Sequence, residues 1–284
     1  MEPYPLIKRE KIDDDTTLEY LLYEGDGPTI LFLNGTGFSP WLFHPVARRL
    51  SNQFRIIVPF LNEHREAEPE EGGLKWKLLA DDFCKFCHRL DLERSYLTAH
   101  SMGATVATIA AYFEPDLAKK MIMMEPIYLP ETLYTANLSV EQHPLASKSI
   151  KRRNEWQNRG EAREYLRSRA LYKSWDTEVL EMFLQYGMVE DDHGIIRLAC
   201  SPRHEAALFM GGLHFNPWPL LSGIKCPVLV LEGAESENRS FIDLSKAASL
   251  MPHSEHRLLE GVGHTIPMEI PARTAGIIKD FLIS

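Results

Sequence analysis

The feature that most constrains this chain is a recurrence of short apolar runs, each closed by a turn and followed by a helical stretch. Thr29–Leu33 (TILFL) is apolar at nearly every position and ends in Asn34-Gly35-Thr36-Gly37. A strand with no polar face suits a parallel sheet covered by helices on both sides. Residues 54–60, 95–99, 120–124 and 226–231 repeat the pattern, and 254–259 reads as a last strand. Helices are expected over 41–51, 75–90, 103–113, 240–251 and 271–282. Ahead of the first run, 6–13 and 17–23 read as two more strands, closed by the turn cluster Glu24-Gly25-Asp26-Gly27-Pro28. Strands alternating with helices predict β-α-β units. The rhythm stops between 127 and 218, where helices at about 159–172, 176–187 and 203–212 are expected with no buried strand. The reading is an α/β core of residues 1–126 and 219–284, interrupted by a helical insertion at 127–218.

Composition narrows the function. With 31 basic and 40 acidic residues the net charge is −9, which disfavours nucleic acid, because phosphate neutralisation supplies most of that affinity. No apolar stretch is long enough to span a membrane. Met1-Glu2-Pro3-Tyr4-Pro5 lacks a basic segment followed by an apolar run, so no export signal is expected and a cytoplasmic protein is the default. Its four cysteines fit reduced thiols. Cys84-Lys85-Phe86-Cys87-His88 has the spacing of a haem attachment site, but it lies in a stretch with helical apolar periodicity, which places the two thiols one turn apart on a helix. The acidic loop 63–71 reads as solvated rather than metal-binding. No metal and no cofactor are expected.

The chemistry-bearing segment is the strand at 95–99, running through His100-Ser101-Met102-Gly103 into a helix of small residues. A strand, a sharp turn and a helix make a nucleophile elbow. The turn is strained, so small residues must flank the serine, and Ala99 and Gly103 meet that need. The serine also stands at a helix N-terminus, where amides and the dipole favour developing negative charge. A serine alcohol needs a base. His264, in Gly261-Val262-Gly263-His264 after the last strand, is the candidate among eleven histidines. An oxyanion needs aimed donors. The amides of Thr36, on the glycine-rich turn after 29–33, and of Met102 are the expected pair.

Four segments in order, LFLNGTG (31–37), TAHSMGA (98–104), PVLVLEG (227–233) and GVGHTIPMEIP (261–271), resemble the α/β-hydrolase fold serine hydrolases along nearly the whole chain. The resemblance implies a mostly parallel central sheet flanked by helices, with an inserted helical cap over the site. Asn34 stands where the family usually has histidine, a residue that shapes the loop. The usual position of the triad acid, three residues after the glycine of 227–233, holds Ser236, with Glu235 and Glu237 beside it. The alternative family position, after the strand that follows the nucleophile helix, holds Glu125, which is preferred. The expected triad is therefore Ser101, His264 and Glu125, with Glu235 or Glu237 as the other choice of acid.

By the same resemblance the cap selects the substrate, and Trp156, Trp175, Phe215 and Trp218 are candidates to line an apolar pocket. Segment 148–173 is basic, and Arg152 and Arg153 are candidates to hold an anionic substrate. The expected activity is hydrolysis of an ester or lactone of a small molecule through an acyl-enzyme. C–C bond hydrolysis, thioester hydrolysis or a lyase reaction on the same triad is the alternative, together with a ligand receptor that retains the fold. A serine nucleophile argues against haloalkane and epoxide hydrolysis, which use aspartate in this family. No sequence feature specifies the oligomeric state.

Overall fold

A computed structural model describes residues 4–284. The part of the export-signal reading that rests on residues 1–3 lies outside them. β1 (Leu6–Lys11) and β2 (Thr17–Tyr23) form a hairpin, followed by β3 (Thr29–Leu33), α1 (His44–Leu50) and β4 (Arg55–Pro59). Then come α2 (Trp76–Arg89), β5 (Ser95–His100), α3 (Met102–Phe113) and β6 (Ala118–Met124). These strands join two later ones in an eight-stranded sheet of order β1-β2-β4-β3-β5-β6, then β9 (Val228–Gly233) and β10 (Ser254–Leu259). Only β2 runs against its neighbours; every pairing from β4 to β10 is parallel.

The apolar runs have the cause inferred from sequence. Ile30 and Phe32 point to one face of the sheet with Val46 and Ala47 of α1, whereas Leu31 and Leu33 point to the other with Leu79 and Phe83 of α2. All four strand residues are fully buried. Side chains alternate along a strand, so a sheet covered on both faces requires an apolar residue at every position.

Between β6 and β9 the chain leaves the sheet. It forms α4 (Ala146–Ile150), α5 (Arg159–Arg167), α6 (Ala170–Lys173) and α7 (Thr177–Tyr186), then β7 (Met188–Glu190), β8 (Ile196–Leu198) and α8 (Pro202–Gly211). The helix expected over 159–172 is broken, because Arg169 takes an extended backbone (φ −97°, ψ 138°) between α5 and α6. The region also holds two short strands that the helical reading did not include. β7 and β8 form an antiparallel hairpin, turned through Gly194 at φ +77°. Strands of three residues are too short to register as periodicity. These elements have a core of their own, built on Trp156, Leu166, Trp175, Leu180 and Phe183. The chain ends with α9 (Leu244–Leu250), α10 (Ile266–Glu269) and α11 (Pro271–Ile283), and α11 packs against α1.

The order of the sheet locates a crevice. From β3 the chain crosses to β4 on one side, then returns past β3 to β5 on the other. The loops leaving the carboxyl ends of β3 and β5 therefore diverge, and the gap between them is where open α/β sheets bind ligands.

Candidate active site

Ser101 occupies the turn between β5 and α3 with φ +55° and ψ −124°, a backbone state costly for any residue with a Cβ. Close packing holds it there. Its amide donates to the Met124 carbonyl at 2.9 Å. Two residues on, Gly103 faces the carbonyl oxygens of Leu33 and Asn34 so closely that a Cβ would lie 2.6 Å from each. Only glycine lets α3 approach the end of β3, and this approach sets the hydroxyl beside the Gly35–Phe38 turn.

His264 leaves the loop after β10 and points its Nε2 at the Ser101 Oγ, 3.1 Å away. Its Nδ1 lies 3.0 Å from Oε2 of Glu125. Glu125 follows β6 in a left-handed backbone state, φ +52°, and is 1% exposed. A buried carboxylate is costly unless it is hydrogen-bonded, and this one is. Oε1 accepts from the Gly233 amide at 2.7 Å, and Oε2 accepts from the Ser236 hydroxyl at 2.7 Å. Glu235 and Glu237 are exposed, and neither carboxylate is bonded to His264. Ser236, at the usual acid position, thus donates to the carboxylate arriving from β6.

Several neighbours of this chain of contacts had no signature in the sequence reading. The Asn238 amide lies 2.9 Å from the same Nδ1 of His264. It is the side-chain nitrogen Nδ2 that faces this atom. His100, fully buried, donates from Nε2 to the His264 carbonyl at 3.0 Å. Burial, aided by the nearby His264, pushes its pKa down to about 3, so it stays neutral. Glu269 accepts from the amides of Gly263 and Thr265 at 2.9 and 3.1 Å and so clamps the loop that carries His264. It lies inside the segment GVGHTIPMEIP, so its place in that motif was its one available signal.

Thr36 and Met102 stand at the ends of the β3 loop and the start of α3, and neither amide donates to a protein acceptor among the described residues. The turn that carries Thr36 is closed by the Phe38 amide on the Gly35 carbonyl at 3.3 Å. Asn62 donates to the carbonyls of Gly35 and Phe38 at 2.8 and 3.1 Å, and Asn34 also donates to Phe38.

Of the four aromatic candidates, Trp175 is the one with a described contact next to His264. Trp156 is 1% exposed and packs against Tyr165 inside the inserted region. Phe215 packs near Phe113 of α3, and Trp218 donates to the Leu129 carbonyl at 2.7 Å. The contacts described for these three are with packing neighbours and, for Trp218, with the main chain. Trp175 does approach the site. Its indole donates to the Thr265 hydroxyl at 3.0 Å, next to His264, and its ring meets Phe38 edge-on.

The two arginines also diverge. Arg153 turns outward to Glu161 and lies over the rings of Trp156 and Tyr165, so it offers nothing to the site. Arg152 points inward but is already engaged by Glu205 and Tyr172. Cys84 and Cys87 pack into the core beneath the sheet, and burial raises both thiols, Cys84 to about 12. In the acidic loop, Glu68 and Glu70 pair with Arg203 of α8, so the loop is docked rather than free. Among the described residues, no group of three His, Cys, Asp or Glu is placed to hold a metal ion, and no helix is long and apolar enough to cross a membrane.

Comparison with known proteins agrees with this fold. Over 261 residues the chain is 25% identical to a 2-(acetamidomethylene)succinate hydrolase of Mesorhizobium japonicum, covering 91% of this chain and 89% of that one. It is 24% identical to an sn-1-specific diacylglycerol lipase of Xenopus laevis, covering 88% and 78%. A crystal structure of E-2-(acetamidomethylene)succinate hydrolase superposes with a TM-score of 0.80 at 22% identity, covering 99% of this chain and 100% of the other. The thioesterase domain from the curacin biosynthetic pathway superposes at 0.75 with 18% identity, covering 97% and 99%. Residues 30–277 match the model of the alpha/beta hydrolase family. With a mostly parallel sheet, helices on both faces and a serine at the strand–helix turn, the chain belongs to the alpha/beta hydrolase family and is a hydrolytic enzyme of that fold.

Proposed function

We propose that this enzyme cleaves its substrate through a covalent acyl-enzyme on Ser101. The observation that carries the reading is the continuous contact from the Ser101 Oγ through the two nitrogens of His264 to the buried Glu125. In this reading Glu125 accepts a hydrogen bond from the Nδ1–H of His264, which keeps the proton on Nδ1 and leaves Nε2 bare and facing the hydroxyl. His264 takes the Ser101 proton as Oγ attacks the substrate carbonyl, then returns it to the leaving group. The imidazolium formed in between is stabilised by the carboxylate 3.0 Å away. The amides of Thr36 and Met102 receive the oxyanion. Water then repeats the sequence and releases the acid.

The ester or lactone of the sequence reading has support from a lipase among the relatives. The alternative, an activated bond other than a simple carboxylic ester, such as a C–C or thioester bond, has more. The hydrolase matched over the greater part of this chain is named for a substituted succinate, and a matching structure is a thioesterase. We adopt the alternative as the preferred reading, with a small acidic substrate as the first to try. We further propose that residues 127–218 act as a cap over the core of 1–126 and 219–284, with Trp175 as its contact to the site.

The test is labelling by a fluorophosphonate probe together with turnover of p-nitrophenyl acetate, p-nitrophenyl thioacetate and acylated succinates. Ser101→Ala should lose labelling and leave a residual rate about 10³–10⁴ above water from binding and the oxyanion site alone. His264→Ala should match it, and the double variant should be scarcely worse, since the pair acts as a unit. Labelling of Ser101→Ala at another serine would end the assignment. A single turnover followed by tight retention of ligand would favour the receptor reading.

A further inference from the structure

The turn that carries the Thr36 amide is gripped from two sides. Below it are the Asn34 and Asn62 amides. On another side is Glu205 of α8, whose side chain lies against Gly37. A Cβ on Gly37 would stand 2.7 Å from Oε1 of Glu205, and the residue has φ +71°. Glu205 is 7% exposed. Both its oxygens accept from one terminal nitrogen of Arg152, at 2.8 and 2.7 Å, and the other terminal nitrogen of Arg152 donates to the Tyr172 hydroxyl at 2.8 Å. Tyr172 is itself buried against Trp175 and Phe183. A carboxylate thus sits one residue from the amide that faces the site.

That placement carries a cost unless the charge is cancelled. A bare carboxylate beside an oxyanion site opposes the negative charge that develops there, and low local dielectric strengthens the opposition. Arg152 cancels it with two charge-assisted hydrogen bonds. We propose that Arg152 and Glu205 form a charge-neutral brace that holds the Gly35–Phe38 turn, and with it the Thr36 amide, in the conformation that receives the oxyanion. The proposal rests on the serine-hydrolase reading above. Neither residue touches the reacting atoms; both are positioning residues, Arg152 acting through Glu205 and Glu205 through Gly37.

The brace predicts an unusual pattern of variants. Arg152→Gln leaves Glu205 charged and unpaired, so it should lower kcat on p-nitrophenyl acetate by about 10- to 100-fold, the scale of a misaimed oxyanion donor. KM should stay within about twofold, and the fluorophosphonate labelling rate should fall in parallel, because phosphonylation uses the same amides. Glu205→Gln, which removes the charge, should cost less than about fivefold. The double variant Arg152→Gln/Glu205→Gln should recover most of the loss, to within about threefold of Glu205→Gln alone. A merely structural contact, whose loss reduces the amount of folded enzyme, would lower the extent of labelling but not the rate constant at which the remaining sites label. Should Arg152→Gln fail to fold, the double variant, which leaves no unpaired charge, and Arg152→Lys, which keeps the charge and should retain kcat within about fivefold, carry the test. A double variant no better than Arg152→Gln overturns the brace. So does an Arg152→Gln that raises KM for an acidic ester at unchanged kcat, which would make Arg152 a substrate ligand. Ser101→Ala is the control: full turnover in that variant would remove the serine reading, and a dead Ser101→Ala beside an unimpaired Arg152→Gln would remove the brace alone.

Discussion

Replacing Glu125 by Gln tests the acid with least disturbance of shape. The carboxylate has three partners: the Gly233 amide at 2.7 Å on Oε1, and the Ser236 hydroxyl at 2.7 Å and His264 Nδ1 at 3.0 Å on Oε2. A glutamine keeps its oxygen for Gly233 and puts an NH₂ at the second position. The Ser236 hydroxyl turns to accept from it at little cost. His264 has no such freedom. Its Nδ1 must now accept, so the proton moves to Nε2, and the ring offers an N–H instead of a lone pair to the Ser101 Oγ. The same tautomer fault in a serine-protease triad costs about 10⁴ in kcat, or about 5 kcal/mol of transition-state stabilisation. We expect a loss of that order, with KM little changed and thermal unfolding lowered only modestly. Steady-state turnover of p-nitrophenyl acetate, with fluorophosphonate labelling as a second readout, measures it. If Glu125→Gln stays within about tenfold of wild type while Glu235→Gln or Glu237→Gln loses about 10³, the reasoning from buried hydrogen bonds is wrong.

Two further outcomes follow from the surroundings of the triad. Ser236→Ala removes a hydrogen bond to a buried carboxylate and should cost about 1.5–3 kcal/mol of stability in urea unfolding; kcat should fall about tenfold with KM unchanged, because Ser236 acts on Glu125 and not on substrate, and an unaltered kcat would remove it from the machinery. His100 has its pKa lowered from 6.5 to about 3, so between those values the unfolded chain binds a proton that the folded chain does not. Its contribution to stability is complete above about pH 6.5 and is lost as the pH falls, by up to about 1.4 kcal/mol per unit. Wild type should therefore lose about 2 kcal/mol more than His100→Asn between pH 7 and pH 5, and equal losses in the two proteins would refute the assignment.

Much of the fold could be read directly, for local reasons. A strand covered on both faces must be apolar throughout, so Thr29–Leu33 has the bounds expected from sequence. The elbow was legible because its backbone demands small neighbours, and Gly103 is the visible trace of that demand. The inserted region was read less well. Its hairpin strands have three residues each, and the break at Arg169 has no proline or glycine to announce it. Aromatic side chains serve a core or a pocket with equal ease, so Trp156 and Trp175 look alike in sequence although only Trp175 meets the loop of His264. Arg152 and Arg153 are adjacent and chemically identical, and only the direction of each side chain separates the inward one from the outward one.

The sequence by itself determined the class of sheet, the serine at the strand–helix turn and the histidine after the last strand, because periodicity and small-residue punctuation are local properties. It left three glutamates as candidates to meet that histidine. Only the tertiary structure decided among them. β6 pairs directly with β9, so the residue that follows β6 is delivered beside the loop that follows β9. There the Gly233 amide and the Ser236 hydroxyl supply donors for a buried carboxylate, whereas Glu235 and Glu237 on that loop remain in solvent. Strand adjacency brings together partners 108 and 111 residues apart in the chain, and no local pattern records such a pairing.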